Sequence, residues 1–432
     1  MLIDEIGLHM AVLGAAGKMG SGISLLLLQE IADRDDTILT LYDTNYKGFV
    51  FLKEYLRDHL TKYAEKEINR LRKKYAERED LIDNAEMIQT YVIEALDRVR
   101  YVAAAEECSS ANLIFEAIIE NVDAKVELFK RIDHGAKKNP FYLTNTSSIP
   151  ISILQKKGDL RDRIIGYHFY NPPAVQKLLE IIIPAKIDPQ LQELALNLGE
   201  RLKKTVVMSN DIAGFIGNGH FIREVAAACQ KERALNKKMS QVEAIKLINR
   251  ITQNYMLRPM GIFQLIDYVG IDVAHHIAKI MTQYLPGHEF TDPLIDSMVK
   301  AGVLGGQNPD GSQKAGFFKY EKGKPVAVYD IERSAYVALQ DENHLELSWK
   351  TLAKDNDRRE KISQFFHKLW QENSLESQLT QEFLARSQAI AHGLVKDGVA
   401  RSIKDVDTVL QNGFFHLYGV DEPFALMNND IS

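Results

Sequence analysis

Cysteine is scarce, with 2 in 432 residues. Cys108 and Cys229 lie far apart and have neither Cys-x-x-Cys spacing nor neighbouring histidines, so no disulfide framework and no zinc site is suggested. Two reduced thiols in a cytosolic protein is the reading that remains. Long apolar runs are missing too: the longest, around Ile23 to Leu28, falls far short of the roughly 18 residues a membrane span needs. No basic segment followed by a cleavable apolar one opens the chain, and Asn429 to Ser432 match no address signal, so the cytoplasm is the expected location. An excess of positive charge is also lacking. With 53 Lys plus Arg against 59 Asp plus Glu the net charge is -6, which argues against nucleic acid as a partner. The 45% hydrophobic and 26% charged fractions exclude a disordered or collagen-like chain. The length exceeds what one hydrophobic core usually serves and predicts about two to three domains.

What is present begins with a strand, a glycine turn and a helix. The apolar run Leu8 to Leu13 meets Gly14, Gly17 and Gly20, and helix-like sequence follows through Ser24 to Ile31. A second apolar run, Ile38 to Tyr42, ends in Asp43, which completes the βαβ pattern of a parallel sheet. The segment Phe51 to Arg78 is highly charged, lacks Gly and Pro, and reads as one long exposed helix, an arm of a hairpin whose return lies near Leu81 to Leu96. Further strand candidates are Leu113 to Ile118, Phe141 to Thr144, Ile164 to His168, Leu178 to Ile183 and Thr205 to Met208, with Val99 to Tyr101 the weakest. After Asp211 amphipathic helices take over. A turn-rich stretch from Gly302 to Lys324 reads as a loop, beyond which helix is expected to the end.

The expected fold is therefore an α/β, Rossmann-type doubly wound sheet followed by all-α helical domains. Residues 1–207 form the nucleotide domain with a helical hairpin inserted at about 50–98; residues 208–325 and 326–432 form two helical domains. A weak internal repeat supports the last division. Met239 to Ile245 and Gly261 to Leu265 have counterparts in Ser402 to Asp407 and Glu422 to Leu426, although two helical segments can also agree by chance.

A turn held between a strand and a helix offers backbone N–H groups and the positive helix end to a pyrophosphate, and glycines let it approach. Gly14, Gly17, Lys18, Met19 and Gly20 fit that role. Asp43, 23 residues after Gly20, is placed to bind a ribose 2′-hydroxyl and repel a 2′-phosphate, so NAD is expected rather than NADP. The alternative is a glycine turn that serves helix packing, with Asp43 merely solvated.

Polar clusters recur where strands end: Asn145 to Ser148, His168 to Pro172, and Glu180 inside Leu178 to Ile183. Oxidising an alcohol by hydride transfer needs a base for the hydroxyl proton, and histidine titrates near working pH. A carboxylate on its other ring nitrogen fixes the tautomer and stabilises the imidazolium. His168 and Glu180 can supply that pair, and Ser147 and Asn218 can hydrogen-bond the substrate oxygen. Taken singly, a histidine or glutamate is more often structural, and the chain has 12 histidines.

Four ordered motifs carry a resemblance: Asn145 to Ser148; Gly166 to Pro172; Lys177 to Glu180; and Gly214, Phe215 and Asn218. In that order and spacing they resemble the L-3-hydroxyacyl-CoA dehydrogenase family. The resemblance implies catalytic or substrate-positioning roles for Ser147, His168, Glu180 and Asn218. It places Glu120 and Lys125 along the nicotinamide ribose, adds Asn145 to the cofactor residues, and matches the run Arg258 to Gly270 to a helical-domain signature. It implies an acyl-CoA substrate, NAD as cofactor and no metal. The resemblance is clear over about residues 8–275. The glycine turn has one residue more than the usual GxGxxG, and the segment Gly305 to Gly316 is lengthened. The last hundred or so residues resemble a second copy of the helical domain found in larger fatty-acid oxidation enzymes, with no enoyl-CoA hydratase region attached.

Single-copy members dimerise through that domain, so the duplication implies either a monomer by internal pairing or a homodimer. Lys62, Lys66, Arg70, Lys73 and Lys74 could meet CoA phosphates, or form a solvated face paired with Glu65, Glu67 and Glu77. Two other functions remain open: a dehydrogenase of a hydroxy acid without CoA, and a non-catalytic NAD(H)-binding structural protein.

Overall fold

The computed structural model describes residues 9–34, 36–308, 311–339 and 347–425, and the chain divides into two compact units at Asp211/Ile212. The first unit is built on a sheet of eight strands: β1 (His9–Leu13), β2 (Ile38–Tyr42), β3 (Val99–Val102), β4 (Leu113–Glu116), β5 (Phe141–Thr144), β6 (Ile164–Phe169), β7 (Leu178–Ile183) and β8 (Thr205–Asn210). Their spatial order is β3-β2-β1-β4-β5-β6-β7-β8. The central strands are continuous apolar runs because helices cover both faces of a parallel sheet. The doubly wound expectation therefore holds for β1 to β6, which pair in parallel. Within that sheet the direction reverses at β7, which runs antiparallel to β6, while β8 follows β7 in parallel.

The helices of this unit are α1 (Lys18–Ile31), α2 (Gly48–Lys66), α3 (Ile68–Lys74), α4 (Asn84–Leu96), α5 (Val122–Gly135), α6 (Ile151–Gly158) and α7 (Pro189–Arg201). The inserted hairpin exists, but its first arm is not one helix. Glu67 leaves the helical region at φ -95, ψ 16 and separates α2 from α3. Phe49, Leu52, Leu56, Leu60 and Ala64 recur every three or four residues and form the buried stripe of α2. The return arm α4 starts in a capping box, in which Asp83 accepts from the Glu86 N–H and Glu86 reaches back to the Asp83 N–H. Asp211, after β8, takes the N–H groups of Ile151 and Ser152 and so pins the start of α6.

The second unit contains α8 (Gly217–Leu235), α9 (Gln241–Arg250), α10 (Ile262–Val269), α11 (Ile271–Tyr284), α12 (Pro293–Lys300), α13 (Trp349–Leu352), α14 (Arg358–Gln371), α15 (Leu375–Lys396) and α16 (Ile403–Gly413). Between α12 and α13 the expectation of helix is overturned by a three-stranded antiparallel sheet of β9 (Phe318–Glu321), β10 (Lys324–Asp330) and β11 (Ala335–Ala338). Lys322 and Gly323 both have positive φ, 50° and 76°, which is the two-residue turn that matches the twist of paired strands. A Lys-Gly pair between two runs rich in aromatic and β-branched residues was the signal in the sequence. Asp267 anchors this region: its carboxylate accepts from the Phe317 N–H at 2.6 Å, the Phe318 N–H at 2.9 Å and the Tyr320 hydroxyl at 2.8 Å.

The last helices join the same core. Phe366 is fully buried, and its ring meets Phe365, Trp370, Tyr418 and Phe424 at centroid distances of 5.4, 5.4, 5.6 and 6.1 Å. Phe366→Ala removes a ring at the centre of that cluster and is expected to cost about 3–5 kcal/mol of unfolding free energy. Urea unfolding followed by far-UV circular dichroism checks this; a loss below 1 kcal/mol or so would mean that the terminal helices do not share the core.

Candidate active site

The carboxyl ends of β1, β2, β4, β5 and β6 share one edge of the sheet, and most of the residues singled out in the sequence lie there. Gly14 follows β1 with φ 80°, and the turn leads straight into α1, whose N-terminus has Gly17 as its cap and no side-chain capping bond. A Cβ on Gly20 would lie 2.0 Å from the Gly14 carbonyl oxygen, so α1 passes the turn at a distance only glycine permits. The result is a helix N-terminus without a side-chain cap, set directly behind a glycine turn, and such an end fits a pyrophosphate. Lys18 and Met19 open the helix. Asp43 follows β2, and its carboxylate receives the N–H of Ala16 in the glycine turn at 2.9 Å and that of Asn45 at 2.8 Å. One acidic residue thereby links the turn to the position where a ribose would lie.

On the neighbouring strands a buried ionic group supports the loop after β5. Lys125, 1% exposed, places its ammonium 2.6 Å from Glu116 and 3.4 Å from Glu120. Burial lowers the basicity of Lys125, and the two carboxylates more than restore it. For Glu120 burial acts upward, but Lys125 and the donors of the Thr146 to Ser148 loop bring the net shift down. Those donors converge on one Glu120 oxygen: the Thr146 hydroxyl at 2.6 Å, the Ser147 N–H at 2.9 Å, and the Ser148 N–H and hydroxyl at 3.2 Å each. Asn145 fixes the other side of the loop, accepting the Phe169 N–H at 2.8 Å. Glu120, Lys125 and Asn145, expected along the cofactor, are thus the residues that hold Ser147 in place.

The antiparallel reversal at β7 creates the central feature. His168 and Glu180 are direct cross-strand partners, 12 positions apart in the chain but paired in the β6/β7 register. The imidazole Nδ1 lies 3.4 Å from the Glu180 carboxylate, and the pair is buried, His168 being 7% exposed and Glu180 0%. This leaves Nε2 as the nitrogen away from the carboxylate. Tyr170, to which the sequence reading gave no role, donates its hydroxyl to the same Glu180 oxygen at 3.1 Å. Nothing in the linear motif marks it, because its partner is reached only through the strand pairing.

Asn218 lies in the second unit, at the start of α8. Arg70 and Lys74 also reach beyond their own helix: both are engaged with Asp33, and Lys74 meets Glu94 at 3.1 Å. Of the local partners, Glu67 approaches Arg70 at 3.6 Å. Among the described residues no group of three or more His, Cys, Asp or Glu could hold a metal ion, and no helix is long and apolar enough to cross a membrane. Cys108 and Cys229 are free and buried.

Comparison with known proteins identifies the family. The NAD-binding domain of 3-hydroxyacyl-CoA dehydrogenase matches residues 9–212, and the C-terminal domain of the same family matches residues 214–315. The chain belongs to the 3-hydroxyacyl-CoA dehydrogenase family. A probable 3-hydroxybutyryl-CoA dehydrogenase of Bacillus subtilis is 29% identical over 312 residues, covering 72% of this chain and 97% of that protein. The mitochondrial hydroxyacyl-coenzyme A dehydrogenase of Homo sapiens is 29% identical over 317 residues, covering 72% and 91%. The crystal structure of 3-hydroxybutyryl-CoA dehydrogenase from Escherichia coli shares the fold across 95% of this chain and 90% of its own, with a TM-score of 0.62 at 20% identity. The family match reaches residue 315, beyond the point near 275 where the resemblance in the sequence fades.

As a member of this family the chain is an NAD-dependent 3-hydroxyacyl-CoA dehydrogenase. The glycine turn accordingly has a direct test. In Gly20→Ala the new methyl meets the Gly14 and Ala15 backbone, which cannot swing aside, so the turn must open. NADH affinity by fluorescence titration is expected to fall about tenfold or more. Unchanged affinity in a folded variant would remove the turn from the cofactor site.

Proposed function

We propose that the oxidation of L-3-hydroxyacyl-CoA to 3-ketoacyl-CoA, and its reversal, runs through His168 as general base and acid, oriented by Glu180. The observation that carries this reading is the buried cross-strand contact of 3.4 Å between the imidazole Nδ1 and the Glu180 carboxylate, at the strand edge that also bears the glycine turn. NAD supplies the hydride acceptor when bound; Gly14, Gly17, Lys18, Met19 and Gly20 would hold its pyrophosphate and Asp43 its ribose.

With Nδ1–H directed at Glu180, Nε2 is the nitrogen that would take the hydroxyl proton of the substrate. The carboxylate stabilises the imidazolium that results, and in the reductive direction the same nitrogen returns the proton. Ser147, held by the Glu120 anchor, would hydrogen-bond the substrate oxygen as it changes from alcohol to carbonyl. The sequence resemblance assigns the second donor to that oxygen to Asn218. The substrate class, an acyl thioester of CoA, fits both family matches.

His168→Gln keeps the size of the ring position and removes the base. Turnover of acetoacetyl-CoA with NADH is expected to fall by about a factor of a thousand while NADH still binds. Retained activity would eliminate His168 as the base. Equal turnover of free 3-hydroxy acids would instead favour a substrate without CoA.

The repeat in the helical unit bears on assembly. Its support is local: α8 and α15 are long helices followed by α9 and α16, and Ser240 and Ser402 cap the shorter pair in the same way. The two segments also join through Arg250–Glu376 at 2.6 Å, Lys231–Glu382 at 2.5 Å and the Tyr418 hydroxyl on the Met256 carbonyl at 2.8 Å. A second copy that covers the pairing surface of the first makes the chain a monomer. Sedimentation at micromolar concentration is expected to show a species of one chain's mass, and a stable dimer would contradict it.

A further inference from the structure

We propose that Tyr170 is a positioning residue of the catalytic pair, its hydroxyl holding the Glu180 carboxylate in register with His168 and limiting how strongly that carboxylate draws the imidazole proton. The proposal rests on the assignment of His168 and Glu180 made above. Three observations place Tyr170 there. Its hydroxyl donates to Glu180 Oε2 at 3.1 Å, and His168 Nδ1 approaches that same oxygen at 3.4 Å. The phenol ring also lies 4.8 Å from the imidazole, centroid to centroid, at an interplanar angle of 38°.

One carboxylate oxygen therefore serves two donors on rings that touch each other. A donor from the following turn on the oxygen that faces Nδ1 restricts rotation of this buried carboxylate about its side-chain torsions. The hydroxyl also takes up part of the negative charge. Burial, then the Glu180 charge and the hydrogen bond to it, raise the Tyr170 hydroxyl well above the phenol range, so it remains a donor throughout the working pH. The ionisable groups that face Glu180 include His168 from β6 and Tyr170 from the turn after it. On the other side of β7, β8 places Val207 opposite Glu180. Lys204, just before β8, braces the same turn by donating to the Pro173 and Gln176 carbonyls.

The sign of the effect follows. Without the hydroxyl, Glu180 concentrates its charge on the imidazole and favours the protonated ring, so the base is available only at higher pH. A less firmly fixed carboxylate also lowers the rate.

The test compares wild type, Tyr170→Phe and 3-fluorotyrosine incorporated at position 170, measuring pH profiles of 3-hydroxybutyryl-CoA oxidation with NAD. Tyr170→Phe is expected to lower kcat about three- to tenfold and to move the acid limb up by about half a unit to one unit, with KM for the acyl-CoA within about twofold. Fluorotyrosine, a stronger donor with the same ring, is expected to move the limb in the opposite direction. In a His168→Gln background Tyr170→Phe is expected to change nothing further. Superimposable profiles for all three proteins, with NADH binding intact, would overturn the role of Tyr170. A loss of turnover in His168→Gln would at the same time leave the base assignment standing. Equal losses in KM and kcat without movement of the limb would make Tyr170 a packing residue only.

Discussion

Everything proposed for the chemistry depends on one strand running the wrong way. In a sheet that is otherwise parallel from β1 to β6, β7 turns back along β6 and sets Glu180 opposite His168. Antiparallel neighbours face each other residue for residue, so two polar side chains fixed in that register are held by backbone hydrogen bonds rather than by flexible loops. A parallel crossover at this point would have placed the glutamate on a strand whose register with β6 the intervening loop could not set so closely. The geometry of the pair is thus a property of the sheet.

A second constraint stands behind the first. The loop that carries Ser147 is short and would have several free N–H groups, and Glu120 collects them on one oxygen. Lys125 neutralises that collection from within the core, and Glu116 in turn balances Lys125 while also accepting the Thr144 hydroxyl at 2.5 Å. Buried charges of this kind persist only where each has partners. The residues expected at the cofactor edge are accordingly also the ones that give the Ser147 loop its shape.

Much of this was legible in the sequence, and the limits of legibility have physical causes. The parallel strands were readable because burial on both faces demands uninterrupted apolar runs, and the glycine turn because its spacing serves a backbone contact. The pair His168 and Glu180 was found through residue type and motif order, but not its register, since alternation within a strand says nothing about the direction of its neighbour. Tyr170 was missed for that reason. The break at Glu67 was hidden because the sequence there has no Gly or Pro to announce it. The sheet of β9 to β11 was missed although Lys322 and Gly323 signalled a hairpin, because helical texture on both sides suggested continuity.

The trio Glu116, Lys125 and Glu120 has an effect on what solution conditions can reach. Lys125 and Glu116 are 1% and 0% exposed, and the Glu120 side chain is 21% exposed. Mobile ions screen charges at a surface but scarcely act between groups that solvent cannot approach. The Lys125–Glu116 contact at the root of this clasp should therefore be nearly indifferent to salt, while any attraction between the protein surface and the phosphates of a CoA thioester is not. Ionic strength would tune the encounter with substrate and leave the reacting geometry as it was folded.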